Sequence, residues 1–280
     1  SNVLEKNIAS IVTPIGIDHK DFLKEGSIDE IVYEKCSHLL DGSKIIISEQ
    51  KKGVLNKIKK NISKNSSLKF IFGEDYEYSK NLNGFTYKDK KGKIQLPQPN
   101  LIGDFQLSNV STAINAVRNL GQFKIEDAHI KKAITKIRSE GRLQFIRKGK
   151  LRKYISNNNE ILIDGAHNPL GASVVKKYLE NLNSGKKVIM VLGMMTNKDH
   201  EEFIKIFKNI VDSIIVLNIP NQENFFKKEK LLKIVKSFGI PSKTEGSIES
   251  ALKNITEENN NTIIFCTGSL YLAGEILNLN

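Results

Sequence analysis

Between residues 160 and 266 the chain alternates short β-branched runs with amphipathic stretches, and this alternation constrains the fold more than any other feature. Strands are predicted over 160–164, 187–192, 213–217 and 262–266, and helices over 169–182, 198–210, 227–237 and 248–254. Strands separated by helices of this length need crossover connections, which make a parallel, doubly wound sheet. Three strands run straight into turns rich in Gly and polar side chains: Asp164-Gly165-Ala166-His167-Asn168-Pro169, Gly193-Met194-Met195-Thr196-Asn197-Lys198 and Thr267-Gly268-Ser269. In a parallel sheet those turns open on one edge, where open α/β sheets bind ligands.

The N-terminal half reads differently. Ser27 and Glu30 have the spacing of a capping box opening a helix over 27–40, followed by a strand over 44–48. Residues 73–96 alternate apolar and polar side chains, with turn signals at Asn83-Gly84 and Lys91-Gly92, the pattern of small antiparallel hairpins. Helices over 106–120, closed by Gly121, and 126–138 follow. A polar, basic stretch from Gly141 to Asn159 suggests a division into domains 1–148 and 149–280. The expected architecture is thus α/β: a Rossmann-like, mostly parallel C-terminal sheet preceded by a domain with a small antiparallel sheet.

At 280 residues the chain can bury a substantial core, and its two cysteines, Cys36 and Cys266, have no zinc-like spacing to other ligands. This suits a reducing, cytoplasmic setting. No apolar run reaches the roughly 20 residues that span a bilayer. The formal charge of +12 raises nucleic acid as a partner, but the lysines are scattered among Asn and Ile over many segments, a pattern of solvated surface.

Several side chains are candidates for chemistry. Lys35 falls on the helical stripe of Ile28, Ile31, Val32 and Leu39, where a lysine snorkels, pairs, or loses its proton and becomes a nucleophile able to take up carbon dioxide; spacing alone favours snorkelling. His19 follows a strand-to-turn run, Thr13-Pro14-Ile15-Gly16-Ile17-Asp18. Arg142 carries a donor fork suited to phosphate. Asp164, at a strand end, can hold a ribose hydroxyl or cap the next helix, and His167 sits at that helix's N-terminus. Asn109 has the donor and acceptor that read an adenine edge, or that cap its own helix.

These motifs occur in a fixed order: Thr13 to His19, Glu34-Lys35, Gly103 through Gln106 to Asn109, Gly141-Arg142, Asp164 to Pro169, Gly193 to Asp199, and Thr267 to Leu272 with Gly274-Glu275. The set resembles the bacterial folylpolyglutamate synthases and dihydrofolate synthases, relatives of the Mur ligases, over nearly the whole chain. The resemblance implies an ATP-dependent amide ligase that phosphorylates a pteroate or folate carboxylate for attack by the amine of L-glutamate. It implies ATP and Mg2+, with a loop-held monovalent cation besides, small-molecule partners only, and a monomer. By motif, His19 matches a magnesium ligand and Lys35 a carbamylated lysine that also ligates metal. Asn109, Arg142 and Asp164 match ATP contacts, His167 a position beside the reacting groups, and Ser269 one on the glutamate side.

The chain also departs from the pattern. No Gly-rich loop ending Gly-Lys-Ser precedes a helix, since Ser184-Gly185-Lys186 leads into a strand, and the acidic magnesium ligand expected before Ser1-Asn2-Val3 is missing. The expectation is therefore a fragment lacking the phosphate-loop portion and weak in catalysis by itself. The alternative is a non-catalytic nucleotide- or folate-binding paralogue.

Overall fold

A computed structural model describes residues 6–17, 26–182 and 185–280. The described residues form two compact units, the first running up to Arg138 and the second from Ser139 onward.

In the first unit, β1 (Ala9–Val12), β2 (Lys44–Ile47) and β3 (Leu68–Ile71) pair in parallel in that order, joined through α1 (Ile28–Ser37) and α2 (Lys52–Asn61). β2 feeds both faces, as the two-residue period of a strand requires. Ile45 and Ile47 pack with Val32, Cys36 and Ile58, while Ile46 packs with Phe85, Leu107 and Ile114. The hairpins are confirmed as an antiparallel meander of β4 (Tyr76–Asn81), β5 (Gly84–Asp89) and β6 (Gly92–Pro97). Gly84 admits no side chain, because a Cβ there would stand 2.7 Å from the Pro97 carbonyl carbon. Two helices complete the unit, α3 (Phe105–Leu120), ended by Gly121 at φ 74°, and α4 (Asp127–Lys136).

The capping box of α1 forms as read: the Ser27 hydroxyl accepts the Glu30 N–H at 3.3 Å and the Glu30 carboxylate accepts the Ser27 N–H at 3.4 Å. Lys35 leaves the apolar stripe on which periodicity puts it, as the snorkelling favoured by spacing expects. Lys35 is exposed, and Ile31, Val32 and Cys36 are the buried side chains of α1. Lys35 occupies the last turn, where the long stem can leave the stripe and the charge meets the helix's negative end.

The second unit is one six-stranded sheet, ordered β11-β10-β9-β12-β8-β7. Along the chain run β7 (Gln144–Ile146), a 3-10 turn Lys150–Tyr154, β8 (Glu160–Ile163), α5 (Pro169–Leu182), β9 (Lys187–Leu192) and α6 (His200–Phe207). There follow β10 (Ser213–Val216), α7 (Lys228–Ser237), β11 (Ser242–Thr244), α8 (Ile248–Glu258), β12 (Thr262–Thr267) and α9 (Leu270–Leu279). All pairs are parallel except β7 with β8. That antiparallel pairing ties residues 144–146 to this sheet, ahead of the division expected at 148.

The chain order explains where a ligand would sit. β8 is followed by β9 two places away, and β12 returns last to fill the gap between them. The crossovers therefore diverge around β12, and the carboxyl ends of β8, β12 and β9 stand side by side at the point where strand order reverses.

Candidate functional site

Three glycine turns interlock at those strand ends. The Gly193 N–H donates to the Thr267 carbonyl at 3.3 Å, and the Gly268 N–H donates to the Ala166 carbonyl at 3.0 Å. Gly268 adopts φ 103°, and a Cβ there would stand 2.6 Å from the Gly193 carbonyl oxygen, so only glycine lets the turns close on one another. The expectation that the three turns share one sheet edge is met.

Asp164, 3% exposed, lies just past β8. Its Oδ2 accepts the Leu143 N–H at 2.8 Å and its Oδ1 accepts the Ala166 N–H at 2.7 Å. Burial pushes its carboxyl above the usual range, against the opposing pull of those two amides and of Arg142 and His167. Through Leu143 it fastens the turn that carries Arg142. Leu143 is fully buried at φ 42°, a left-handed conformation uncommon for leucine, and the Gly165 N–H donates to the Gly141 carbonyl at 2.8 Å on the same turn. Arg142 and Asp164 are thus brought together.

His167 Nδ1 stands 2.9 Å from the Gly165 carbonyl, which can only accept, so Nδ1 carries a proton. Asn168 caps α5 by accepting the Gly171 N–H at 2.8 Å. Ser269, 2% exposed, caps α9 by accepting the Tyr271 N–H at 3.1 Å. A cleft of about 510 Å³ opens between these elements, and its polar lining comes from His167, Thr196, Asn197, Lys198, Asn224, Ser269 and Tyr271. Two helix N-termini and a lysine favour an anion there.

Asn109 and Lys35 belong to the first unit. Asn109 is exposed in the first turns of α3, its amide donating to Gln106 Oε1 at 3.0 Å. His19 lies outside the described residues. Among the described residues no group of three His, Cys, Asp or Glu side chains could hold a metal ion. The same residues contain no helix long and apolar enough to cross a membrane.

Sequence reasoning missed Asn224, which lies outside every motif, and His200, a lone histidine at a helix start. His200 lies behind the cleft wall with its Nε2 2.9 Å from the Met195 carbonyl.

Comparison with known proteins places this arrangement. A solved Escherichia coli FolC in complex with DHPP and ADP superposes with a TM-score of 0.81 at 21% identity, over 96% of this chain and 60% of that one. A bifunctional folylpolyglutamate synthase/dihydrofolate synthase with Mn, AMPPNP and L-glutamate bound gives 0.79 at 18%, over 97% and 61%. The chain therefore shares the fold of these proteins over the matched span. Residues 147–279 match the family described as dihydrofolate synthetase, C-terminal domain. A probable dihydrofolate synthetase of Schizosaccharomyces pombe is 24% identical over 290 residues, which cover 99% of this chain and 66% of that relative. The chain is thus similar to dihydrofolate synthases and folylpolyglutamate synthases, with the family match confined to its C-terminal part, and it spans about three fifths to two thirds of the length of these relatives.

Proposed function

We propose that the whole protein is a cytoplasmic, monomeric, ATP-dependent amide ligase that adds L-glutamate to dihydropteroate, to folate or to both. The observation that carries this reading is the cleft at the carboxyl ends of β8, β9 and β12, with Lys198, His167, Ser269 and two helix N-termini around it. Its size and charge suit an amino-acid dicarboxylate, and a structural relative has L-glutamate bound. Lys198 and the α9 N-terminus hold carboxylate oxygens, while the Nε2 of His167 is the acceptor for a proton of the incoming amine.

The nucleotide side falls to Arg142, Asp164 and Asn109. The guanidinium of Arg142 suits a phosphate, and each Asp164 oxygen keeps a second lone pair for a ribose hydroxyl. Mg2+ accompanies ATP in this reading, with His19 and Lys35 as its proposed ligands, and when bound it lowers the repulsion between phosphate and carboxylate. The chain alone is expected to turn over poorly, because no Gly-Lys-Ser loop lies within it to fix the triphosphate.

The test is ADP release with Mg-ATP, L-glutamate and either dihydropteroate or tetrahydrofolate, measured for this chain and for a longer version carrying a phosphate loop. Turnover by the longer protein only is the expected result. A second reading, a nucleotide- or folate-binding protein without turnover, would be identified by nucleotide binding with no ADP release in either version.

A further inference from the structure

One wall of the cleft has no regular structure of its own. Met195, Thr196, Asn197 and Lys198 line the cleft from the loop between β9 and α6, and Asn224 lines it from a second loop, between β10 and α7. The two loops are joined backbone to backbone. The Thr196 N–H donates to the Asn224 carbonyl at 2.9 Å, its hydroxyl donates to the same oxygen at 2.8 Å, and the Phe226 N–H donates to the Met194 carbonyl at 2.8 Å. Met195 and Phe225 form an isolated antiparallel bridge between them.

His200 touches both loops at once. Its Nε2–H donates to the Met195 carbonyl at 2.9 Å, and its ring stacks on Phe226 with centroids 3.9 Å apart and planes 22° from parallel. The side chain is 9% exposed and contributes no lining atom to the cleft. A histidine needed only to fill space would stack on Phe226 without turning a ring nitrogen to the carbonyl of a lining residue.

We infer that His200 is a positioning residue: by hydrogen-bonding one loop and stacking on the other, it fixes the wall that presents Thr196, Asn197 and Lys198 to the ligand. The inference extends the glutamate reading of this cleft but rests on contacts that need no ligand. Two substitutions separate the contributions. His200→Phe keeps a stacking ring and removes the donor, whereas His200→Gln restores a donor at nearly the reach of Nε2 and removes the ring.

The experiment is hydrogen exchange of the Thr196 and Phe226 amides in the full chain, together with L-glutamate binding by calorimetry. For His200→Phe the expected result is a loss of protection at both amides and of affinity by roughly 3- to 10-fold, the size of one neutral hydrogen bond. Core amides such as Ile264 should keep their protection. His200→Gln should recover the protection of Thr196 and most of the affinity, leaving Phe226, without its stacking partner, less protected than in the parent. Parental protection in His200→Phe, or no recovery in His200→Gln, overturns the inference. Failure of the parent chain to bind L-glutamate, with Thr196 still losing protection in His200→Phe, would sink the glutamate reading while the positioning role stands.

Discussion

The two units solve the problem of interior polarity in opposite ways. In the first, polar groups run through the middle of the core. The Tyr76 hydroxyl donates to the Ile47 carbonyl at 2.9 Å, Asn115 donates to the Tyr87 hydroxyl at 3.1 Å, and Tyr87 and Arg118 both donate to Asp89, at 3.2 and 3.0 Å. This network joins α3 to β2 and β5, so the packing of helix on sheet is set by hydrogen bonds as well as by shape. The core of the second unit is dry around Ile161, Ile189, Ile215, Ile264 and Phe265; Asp164, Thr267 and Ser269 are buried at or just past the carboxyl ends of its central strands, and Asn159 and Thr262, joined by a hydrogen bond of 2.9 Å, at the amino ends. The first unit runs polar groups through its core, whereas the second keeps its buried polar groups at the ends of its strands.

Phe265→Ala should break the comparison hardest. Phe265 is fully buried against Phe207, with ring centroids 5.8 Å apart, and no polar network can absorb the cavity. A loss of about 3–5 kcal/mol is expected. Hydrogen exchange should place it in the second unit's strands, leaving α3 unaffected. Loss of protection spread equally over both units would mean that the two cores do not respond as separate bodies.

Arg118→Met is the matching test in the first unit. The side chains of Arg118 and Asp89 are 12% and 4% exposed, so removing the guanidinium strands a nearly buried carboxylate. The cost should be about 2–3 kcal/mol, toward the low end for buried pairs because Arg118 still meets solvent. Chemical denaturation followed by circular dichroism measures it, and the Asp89→Asn, Arg118→Met double variant should recover part of the loss. Simple addition of the two costs would show that the network is not coupled.

Asp164→Asn probes the gathered edge. An asparagine can accept one of the two amides, leaving either Leu143 or Ala166 without its acceptor, at about 1–3 kcal/mol. Local exchange at Leu143 should rise, because its left-handed backbone loses the bond that opposes its strain. Unchanged Leu143 protection would show that burial of the side chain alone holds that turn.

The sequence pattern made the second unit far more legible than the first, and the reason is the same division of polarity. A dry parallel sheet writes its strands as continuous apolar runs, so β8, β9, β10 and β12 read directly, as did the three glycine turns that end at one edge. The misses have separate causes. Residues 52–61 of α2 bury only Val54 and Ile58 among lysines, too thin a stripe to stand out. β7 and β11 have three residues each, below the length at which alternation declares itself. Lys35 sits at the centre of its helical stripe by periodicity yet is exposed, since a long side chain in a last turn can leave the face that its Cα occupies. His200 carries no motif at all; only the fold brings Phe226 and the Met195 carbonyl to its ring.

That ring also yields the smallest effect expected, a slope in stability with pH. Burial holds the His200 imidazole below its ordinary pKa, against the weaker pull of the Met195 carbonyl and of Asp199 at the start of its helix. The folded state therefore prefers the neutral ring, and the unfolded chain binds the extra proton first. Stability from this source is fully present above the unfolded value near 6.5 and is lost as pH falls through the lower folded value. No comparable loss should arise in that window from the first unit's network, whose Tyr76 is pushed up to about 12 and whose Tyr87 is pushed higher still. Thermal melts of the parent and His200→Gln between pH 7.5 and about 5 test this: the parent should lose stability across the window more steeply than the variant. Parallel curves would show that the buried ring exchanges its proton without cost, and would detach the histidine's chemistry from its place behind the cleft wall.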